Sequence, residues 1–452
     1  MTAPPVADQA ERDRLRDELD RTLFVEAGAG TGKTTAVVSR IVALVAARRL
    51  TMERLVAITF TVAAAGELRV RIREELERAA RDASGAEAAD ALHVAAREVE
   101  RARIETIHAF CSALLRMHPL EARLPPDFET LADLAAAIDV RERFRRWFDD
   151  LGPGAPGAGA VQRALLLGLK PGRMLDLFVT LNESWDLVAS ADWPAPAVSV
   201  VAEARSLGAE VTGCIELLPA CHTPDALSEG VNAMRIVAAR LSAAADEDAA
   251  LAALVALHTS RRLGTSGNAV NWSPVGGENA CRTIKDTLKE VRLRAAAAVQ
   301  EARAAALGGV ASTMRDVVLV YADERRVRGL VSYQDLLVRA RDLVRDHDDV
   351  RAALRARLDF VAVDEFQDTD PLQAELALRL CAAVDDAASP WHALTPATGR
   401  LCVVGDPKQS IYRFRRADIA VYGAVERGLV AGDPRGRVPL SVNFRSGRLI
   451  VE

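Results

Sequence analysis

The sequence contains no pair of cysteines with the Cys-x-x-Cys spacing of a metal or cluster site. Its six cysteines are scattered along the chain, at Cys111, Cys214, Cys221, Cys281, Cys381 and Cys402. This distribution argues against a zinc or iron–sulfur site and favours reduced thiols in a cytosolic protein.

Long hydrophobic runs are also missing. The longest uninterrupted apolar run, residues 249–257, is far shorter than the roughly 20 residues that span a membrane. The N-terminal segment MTAPPVADQAERDRLRDELD has no apolar core of the kind found in a signal peptide. We therefore expect a cytoplasmic protein with no membrane partner.

An excess of positive charge is absent too, since the formal net charge is −5. This balance does not point to nucleic acid, but it does not exclude nucleic acid either, because local clusters of charge matter more than the sum. Half of the 452 residues are apolar and 27% are charged, which is typical of a soluble globular chain. The length is sufficient for two or three domains.

Apolar runs alternate with amphipathic stretches at both ends of the chain. The runs predict strands at residues 22–27, 54–60, 360–363, 401–404 and 438–442, a strand followed by a loop at 103–110, and helices at 33–47 and 63–80. Such alternation indicates a parallel sheet. The intervening residues, from about 120 to 325, have mostly helical patterns, so we expect an inserted helical domain.

The segment AGAGTGKTT is typical of a loop that binds phosphates. Its residues are Ala27, Gly28, Ala29, Gly30, Thr31, Gly32, Lys33, Thr34 and Thr35. The glycines let successive backbone N–H groups surround the phosphates, Lys33 supplies a cation, and Thr34 offers a hydroxyl to magnesium. The strict pattern begins with glycine, and here that position is Ala27. The predicted strand before the loop and helix after it are the context that such a loop requires.

Two adjacent acids, Asp364 and Glu365, follow the predicted strand at 360–363. Beside a phosphate loop, the first acid would hold Mg²⁺ and the second would orient or deprotonate the attacking water. The alternative is a solvated acidic start of a helix, a position that acids favour in any case.

The segment LCVVGDPKQSIYRFRRAD, residues 401–418, places aromatic rings among cations. Gln409 is positioned to sense a γ-phosphate after the strand. Tyr412, Phe414 and Arg415 have the chemistry that suits single-stranded nucleic acid, since rings stack on bases and cations contact phosphates. The alternative is that the rings belong to a core and the arginines to a solvated face.

Together these segments resemble the UvrD/Rep family of superfamily 1 DNA helicases, and within it the RecB/AddA branch. The resemblance implies an α/β fold, with a RecA-like P-loop NTPase core built on a parallel sheet and a large inserted helical domain. It divides the chain into the first part of that core (residues 1–119), the inserted domain (120–325), the second part of the core (326–434) and the start of a second, incomplete RecA-like core (435–452).

The resemblance also implies roles for individual residues. Lys33, Glu365, Gln409 and Arg445 would act in catalysis, and Thr34 and Asp364 would hold Mg²⁺. Gln9 would recognise adenine, and Phe444 would stack on it. The positions that would contact DNA are Thr59, Phe60, Thr106, His108, Tyr412, Phe414 and Arg415. The family usually has a lysine where this chain has Ala63, so one contact to the DNA backbone is in doubt.

The function implied is that of an ATP-dependent DNA helicase with 3′→5′ polarity, acting in repair or recombination. It would use ATP and Mg²⁺ and would bind single-stranded and duplex DNA. Association with a partner nuclease or helicase chain is a further expectation. The sequence ends at Glu452, near the expected start of the second core, so we expect a fragment of a longer product with weak or absent unwinding by itself. In such a fragment we expect residues 438–452 to be poorly anchored, with Leu440, Leu449 and Ile450 inadequately buried. The alternative is a DNA-dependent ATPase or regulatory chain that does not unwind DNA.

Overall fold

The computed structural model describes residues 6–191, 193, 199–260, 266–276, 278–384, 388–413, 416–431 and 433–445. The chain folds into two compact units. Met1–Leu131 and Arg326–Glu452 form the first, which we call the sheet unit. Ala132–Arg325 form the second, the helical unit.

The first part of the sheet unit alternates strands and helices. Its elements are α1 (Gln9–Asp17), β1 (Leu23–Ala27), α2 (Lys33–Ala46), β2 (Leu55–Thr59), α3 (Val62–Asp82), α4 (Ala86–Glu98), β3 (Arg103–Thr106), α5 (Ile107–Met117) and β4 (Glu129–Thr130). The helical unit follows with α6 (Asp133–Asp149), α7 (Ala158–Leu166), α8 (Pro171–Glu183), α9 (Trp185–Ser190), α10 (Val201–Glu216), α11 (Ala226–Ala233), α12 (Arg235–Ser242), α13 (Glu247–Thr259), β5 (Pro274–Val275), β6 (Glu278–Asn279) and the long α14 (Ala280–Val327). The chain then re-enters the sheet unit with β7 (Leu330–Val331), α15 (Tyr333–Asp346), α16 (Asp348–Ala356), β8 (Phe360–Val363), α17 (Pro371–Cys381), β9 (Leu401–Gly405), α18 (Ile419–Ala431) and β10 (Arg437–Leu440).

A six-stranded sheet with the order β10-β1-β9-β8-β2-β3 forms the centre of the sheet unit. Each of its neighbouring strand pairs is parallel. Strands β2, β8 and β9 are buried at every position, as expected for a parallel sheet that is covered on both faces. The predicted α/β class, a RecA-like core with a parallel sheet, is confirmed.

The position of β10 corrects one prediction. Residues 438–442 were predicted as the opening strand of a second core, with Leu440 inadequately buried. Instead, β10 pairs with β1 at the edge of the first sheet, and Leu440 is only 4% exposed. Alternate residues of β10 are buried, so Val438 and Leu440 extend the core beneath β1. Leu449 and Ile450, included in the same prediction, lie outside the described residues.

The prediction of a loop after β3 is wrong. Helix α5 begins at Ile107, and the hydroxyl of Thr106 accepts a hydrogen bond from the Ala109 N–H at its first turn. Threonine is a favoured residue at this position because its oxygen satisfies an N–H group that the helix leaves unpaired. The apolar spacing downstream of Thr106 is helical, and its buried members are Ile107, Phe110, Cys111, Leu114 and Leu115.

The helical unit has an apolar core of its own. Phe144, Phe178 and the buried face of α14 contribute to this core. Trp272 is also buried there, and its indole N–H donates a 3.0 Å hydrogen bond to Asp225. The polar end of this large buried ring is therefore satisfied within the unit.

The boundary before the helical unit differs from the predicted one. The insertion was expected to begin at residue 120, but residues up to Leu131 belong to the sheet unit. Strand β4 pairs in parallel with β7, and Phe128 is buried beside this pair. This short ladder joins the two chain segments that flank the insertion.

One helix of the described residues, α14, is long and apolar enough to cross a membrane by length and composition alone. One face of α14 packs into the core of the helical unit, and its other positions include Arg282, Lys289 and Arg292. A single helix of this kind is a weak indication of a membrane span.

Candidate nucleotide and nucleic-acid site

The predicted ATP-site residues follow strands that end at one edge of the sheet. The phosphate loop follows β1, Asp364 and Glu365 follow β8, and Gln409 follows β9. Because β1, β9 and β8 are adjacent and parallel, their carboxyl ends lie side by side, where ligands bind in open α/β sheets.

The loop between β1 and α2 has the backbone of a phosphate-binding turn. Gly30 and Gly32 have φ angles of 76° and 84°, a region that only glycine enters without strain. The buried Thr31 closes the turn, since its hydroxyl donates a 2.8 Å hydrogen bond to the Gly28 carbonyl. Helix α2 begins at Lys33, so its unpaired N–H groups and its dipole favour an anion at this point.

Lys33 is at the centre of the polar contacts in this cleft. Its ammonium group lies 3.0 Å from the Glu365 carboxylate and 3.4 Å from the Gln409 side-chain oxygen. Lys33 and Glu365 are 332 positions apart in sequence. The lysine of the loop therefore contacts both the acid after β8 and the amide after β9.

Gln367 links the segment after β8 to the segment after β9, and it was not identified as a site residue from the sequence. It is buried, and its amide group donates a 2.7 Å hydrogen bond to Glu365. Its oxygen accepts a 2.8 Å bond from the Asp406 N–H, and Asp406 in turn accepts a bond from Gln409. These contacts orient Glu365, whose backbone is in the left-handed region with φ at 51°.

Asp364 is a buried carboxyl whose ionisation is unfavourable. Burial, together with the negative charge of Glu365, raises the pKa of Asp364 to about 6. Lys33 forms its ion pair with Glu365 instead. A divalent cation would offset this unfavourable charge. Magnesium fits this donor set, because in ATP sites it commonly takes one or two protein ligands and completes its shell with phosphates and water. Among the described residues there is no group of three or more His, Cys, Asp or Glu side chains that could hold a metal ion.

The pKa of Asp364 leads to a prediction about stability. Between pH 4 and pH 6 this carboxyl is ionised in the unfolded chain but largely protonated in the folded chain. The free energy of unfolding therefore falls as pH rises through this window and stays low above it. Without Mg²⁺ or nucleotide, we expect Asp364→Asn to stabilise the protein at pH 8 by about 2–3 kcal/mol. Urea unfolding at pH 8 and pH 4 measures the difference, which should vanish at pH 4.

Asp127→Asn, at an exposed position of the sheet unit, is the matched control and should show no such dependence on pH. Equal stabilities of the Asp364→Asn variant and the parent chain at pH 8 would contradict the account of Asp364.

A cleft of about 260 Å³ lies along the phosphate loop. Its lining residues are Gly28, Gly30, Gly32, Lys33, Thr34, Arg71, Asp364, Glu365, Phe444 and Arg445. All of them except Arg71 were predicted to belong to the ATP site. Arg71 lies on α3 between Arg69 and Arg73, which form ion pairs with Glu100 instead. No local signal in the sequence distinguishes Arg71 from these two neighbours.

The remaining residues predicted for the ATP site lie around this cleft. Ala27 is buried in the sheet, and Ala29 and Thr35 are exposed on the loop and on α2. Gln9 is half-buried on α1, and its amide group donates a 2.9 Å hydrogen bond to Asp13. Gln9 is not among the residues that line the cleft.

Two of the rings predicted to contact DNA lie together. The ring centroids of Phe60 and Tyr412 are 4.6 Å apart, and Phe60 is 39% exposed. Phe60 follows β2, so this pair also lies beyond the carboxyl edge of the sheet. Phe414 and Arg415 lie outside the described residues.

The other predicted DNA contacts have partners within the fold. Thr59 is buried and donates a 3.1 Å hydrogen bond to the Thr61 carbonyl. Thr106 caps α5, as described above. The ring of His108 lies 5.0 Å from that of Tyr333 in an edge-to-face arrangement, and Tyr333 is exposed.

Comparison with known proteins agrees with this geometry. The sequence-family model described as the UvrD/REP helicase N-terminal domain matches residues 8–428 of this chain. The chain is 29% identical to an ATP-dependent helicase/nuclease subunit from Desulforudis audaxviator, over 96% of this chain and 38% of that protein. It is 27% identical to the RecBCD enzyme subunit RecB of Escherichia coli, over 92% of this chain and 36% of that protein. A shorter match, 37% identical over 30% of the chain, is to the RecB subunit of Mycolicibacterium smegmatis.

The two relatives that match more than nine tenths of this chain are much longer proteins, and the chain spans less than two fifths of their length.

Proposed function

Because the chain belongs to the UvrD/REP helicase family, we propose that it is an ATP-dependent DNA helicase that couples ATP hydrolysis to movement along single-stranded DNA in repair or recombination. The observation that carries the proposal is the contact of Lys33 with both Glu365 and Gln409 in the cleft at the end of β1. Phosphate transfer to water requires a cation that binds the phosphates and a carboxylate that activates the water. Lys33 and Glu365 are such a pair, and they come from the two chain segments that flank the insertion.

In the proposed reaction the backbone N–H groups of residues 28–34 and the Lys33 ammonium bind the phosphates of ATP. Thr34 and Asp364 would hold Mg²⁺, which supplies positive charge at the phosphate oxygens. Glu365, oriented by Gln367, accepts a proton from the attacking water. Gln409 and Arg445 act at the γ-phosphate, and Gln9 and Phe444 act at the base.

On the nucleic-acid side, Phe60 and Tyr412 would stack on bases of a single strand, with Phe414 and Arg415 adding a ring and a cation. Thr59, Thr106 and His108 would contribute contacts to the same strand. The segment from Asp406 to Tyr412 reaches both sites, since Asp406 bonds Gln367 and Tyr412 contacts Phe60. Changes at the γ-phosphate would therefore be transmitted to the stacked bases. The family resemblance implies 3′→5′ movement, and we propose that polarity for this chain.

The relatives are named as subunits, and two of them as the RecB subunit of the RecBCD enzyme. We therefore propose that this chain also works with a partner helicase or nuclease chain. We further propose that it binds single-stranded and duplex DNA and acts in the cytoplasm.

Two assays on the 452-residue chain test the proposal. Phosphate release with and without single-stranded DNA tests DNA-dependent ATP hydrolysis, and strand displacement on a partial duplex tests unwinding. ATP hydrolysis stimulated by DNA but without displacement would favour the alternative, a DNA-dependent ATPase or regulatory chain. Absence of ATP hydrolysis under both conditions would contradict both functions.

The contact between Phe60 and Tyr412 predicts a shared contribution to DNA affinity. We expect Phe60→Ala and Tyr412→Ala each to weaken binding of single-stranded DNA by ~1–3 kcal/mol, with little preference for base sequence. Because the rings touch, the double variant should lose less than the sum of the two. Fluorescence anisotropy with labelled oligonucleotides measures these changes.

Val384→Ala is a suitable control, because Val384 is exposed in the connection from α17 to β9, toward the edge where the strands begin. Strictly additive losses from Phe60 and Tyr412, or losses that match the control, would argue against a common stacking site.

A further inference from the structure

A buried carboxylate at the start of the N-terminal helix has partners in that helix and in the segment after β10. Asp8, which is 3% exposed, precedes α1. It accepts two hydrogen bonds from the Arg12 guanidinium, at 2.8 and 2.9 Å. It also accepts bonds from the backbone N–H groups of Ser441 and Val442, at 2.9 and 3.0 Å, just after β10. Although burial opposes ionisation, these bonds lower the pKa of Asp8 below its ordinary value, so the pair is charged.

Arg12 continues this connection to the phosphate loop and to Phe444. Its guanidinium donates a 2.9 Å hydrogen bond to the Thr31 carbonyl. Its central carbon also lies 4.9 Å from the centroid of the Phe444 ring, a cation–π contact. The side chain of Arg12 therefore touches the loop that binds phosphates and the ring proposed to bind the base.

The segment that carries Phe444 lies directly on the phosphate loop. The Phe444 N–H donates a 2.8 Å hydrogen bond to the Gly30 carbonyl, and the Asn443 side chain donates a 2.9 Å bond to the Ala29 carbonyl. A Cβ atom at Gly30 would approach the Asn443 oxygen to 2.7 Å, so only glycine permits this contact. Phe444 is nevertheless 60% exposed and lines the cleft.

A simpler interpretation makes Asp8 and Arg12 an ion pair that stabilises α1, since they are four positions apart. That interpretation requires bonds only within the helix. Here each partner also bonds a segment outside α1, and the guanidinium covers an aromatic ring. These contacts position a cleft residue rather than a helix turn.

We propose that Arg12, held by Asp8, is a positioning residue that makes Phe444 a platform for the base of a purine nucleoside triphosphate. The inference rests on the proposed function, in which Phe444 stacks on the base. Arg12 contacts the Phe444 ring and the phosphate loop at once, so it sets the distance between the base platform and the phosphates. A purine, with its larger ring system, gains more from this platform than a pyrimidine does.

Steady-state hydrolysis of ATP and CTP by the full chain tests the role of Arg12. For Arg12→Ala we expect the KM for ATP to rise about 3–10-fold, kcat at saturating ATP to stay within about twofold, and the preference for ATP over CTP to shrink. Arg12→Lys keeps the charge but loses the planar stacking group, so it should restore only part of the affinity. Arg16→Ala, one turn further along α1 and paired with Asp13, is the matched control and should leave KM unchanged.

A double-mutant cycle with Phe444→Ala decides between positioning and general stabilisation of α1. If Arg12 acts through Phe444, its substitution has little further effect on KM once the ring is removed. Additive effects in the cycle, or an unchanged ratio of ATP to CTP in Arg12→Ala, would overturn the inference while ATP hydrolysis by the parent chain still supports the proposed function. Should Arg12→Ala fail to fold, the same cycle with Arg12→Lys gives the answer.

Discussion

Replacement of Lys33 by alanine should abolish ATP hydrolysis, with a loss of at least about 10²–10³-fold in rate, and should weaken nucleotide binding. Lys33 is the cation of the phosphate loop, and its ammonium group lies 3.0 Å from Glu365. Without it, the triphosphate would face Asp364 and Glu365 with no lysine to offset their charge, in a half-buried cleft where electrostatic contacts count for more than in water. Phosphate release and binding of a fluorescent ATP analogue measure the two effects.

Lys170→Ala is the control for Lys33→Ala, because it removes an exposed lysine from the helical unit. Its rate of hydrolysis should equal that of the parent chain. Near-normal phosphate release by the Lys33→Ala variant would show that the loop after β1 does not bind the reacting phosphates.

Replacement of Glu365 by glutamine should preserve ATP binding but reduce kcat by ~10²–10⁴-fold. Glutamine has the shape of glutamate, and its oxygen can still accept the hydrogen bond from Lys33. It cannot accept the proton of the attacking water, so only the chemical step is affected. Single-turnover hydrolysis, measured beside the Kd for ATP, separates this step from binding.

Glu87→Gln makes the same chemical change at an exposed ion pair with Arg48 and should leave both quantities unchanged. A parallel loss of binding and turnover in Glu365→Gln would mean that the carboxylate organises the cleft through Lys33 and Gln367 rather than acting on water.

Two corrections show what local sequence patterns leave undecided. The pattern at residues 438–442 predicted a strand, and β10 is a strand, but its neighbour could not be read from its own residues. Pairing with β1 depends on which sheet edge is open to the chain after α18. For residues 103–110, the apolar run was compatible with a strand and a loop, and the cap at Thr106 decided that α5 begins at Ile107.

The sequence by itself determined the α/β class and most of the cleft. Three local features carried this information: the strand periodicity, the glycine spacing before Lys33 and the acid pair after β8. Each depends only on residues that are close together in sequence. Because neighbouring parallel strands end at the same edge of a sheet, the motifs that follow these strands are expected to lie close together from the strand assignment alone.

Only the tertiary structure decided that Arg71, among the arginines of α3, reaches the cleft, and that Gln367 joins Glu365 to Asp406. The same holds for the contact of Arg12 with Phe444, which brings together the two ends of the described chain. The physical reason is that a long polar side chain can point in many directions from the same helix position. Its direction is set by partners that are distant in sequence and become neighbours only when the sheet and its helices pack.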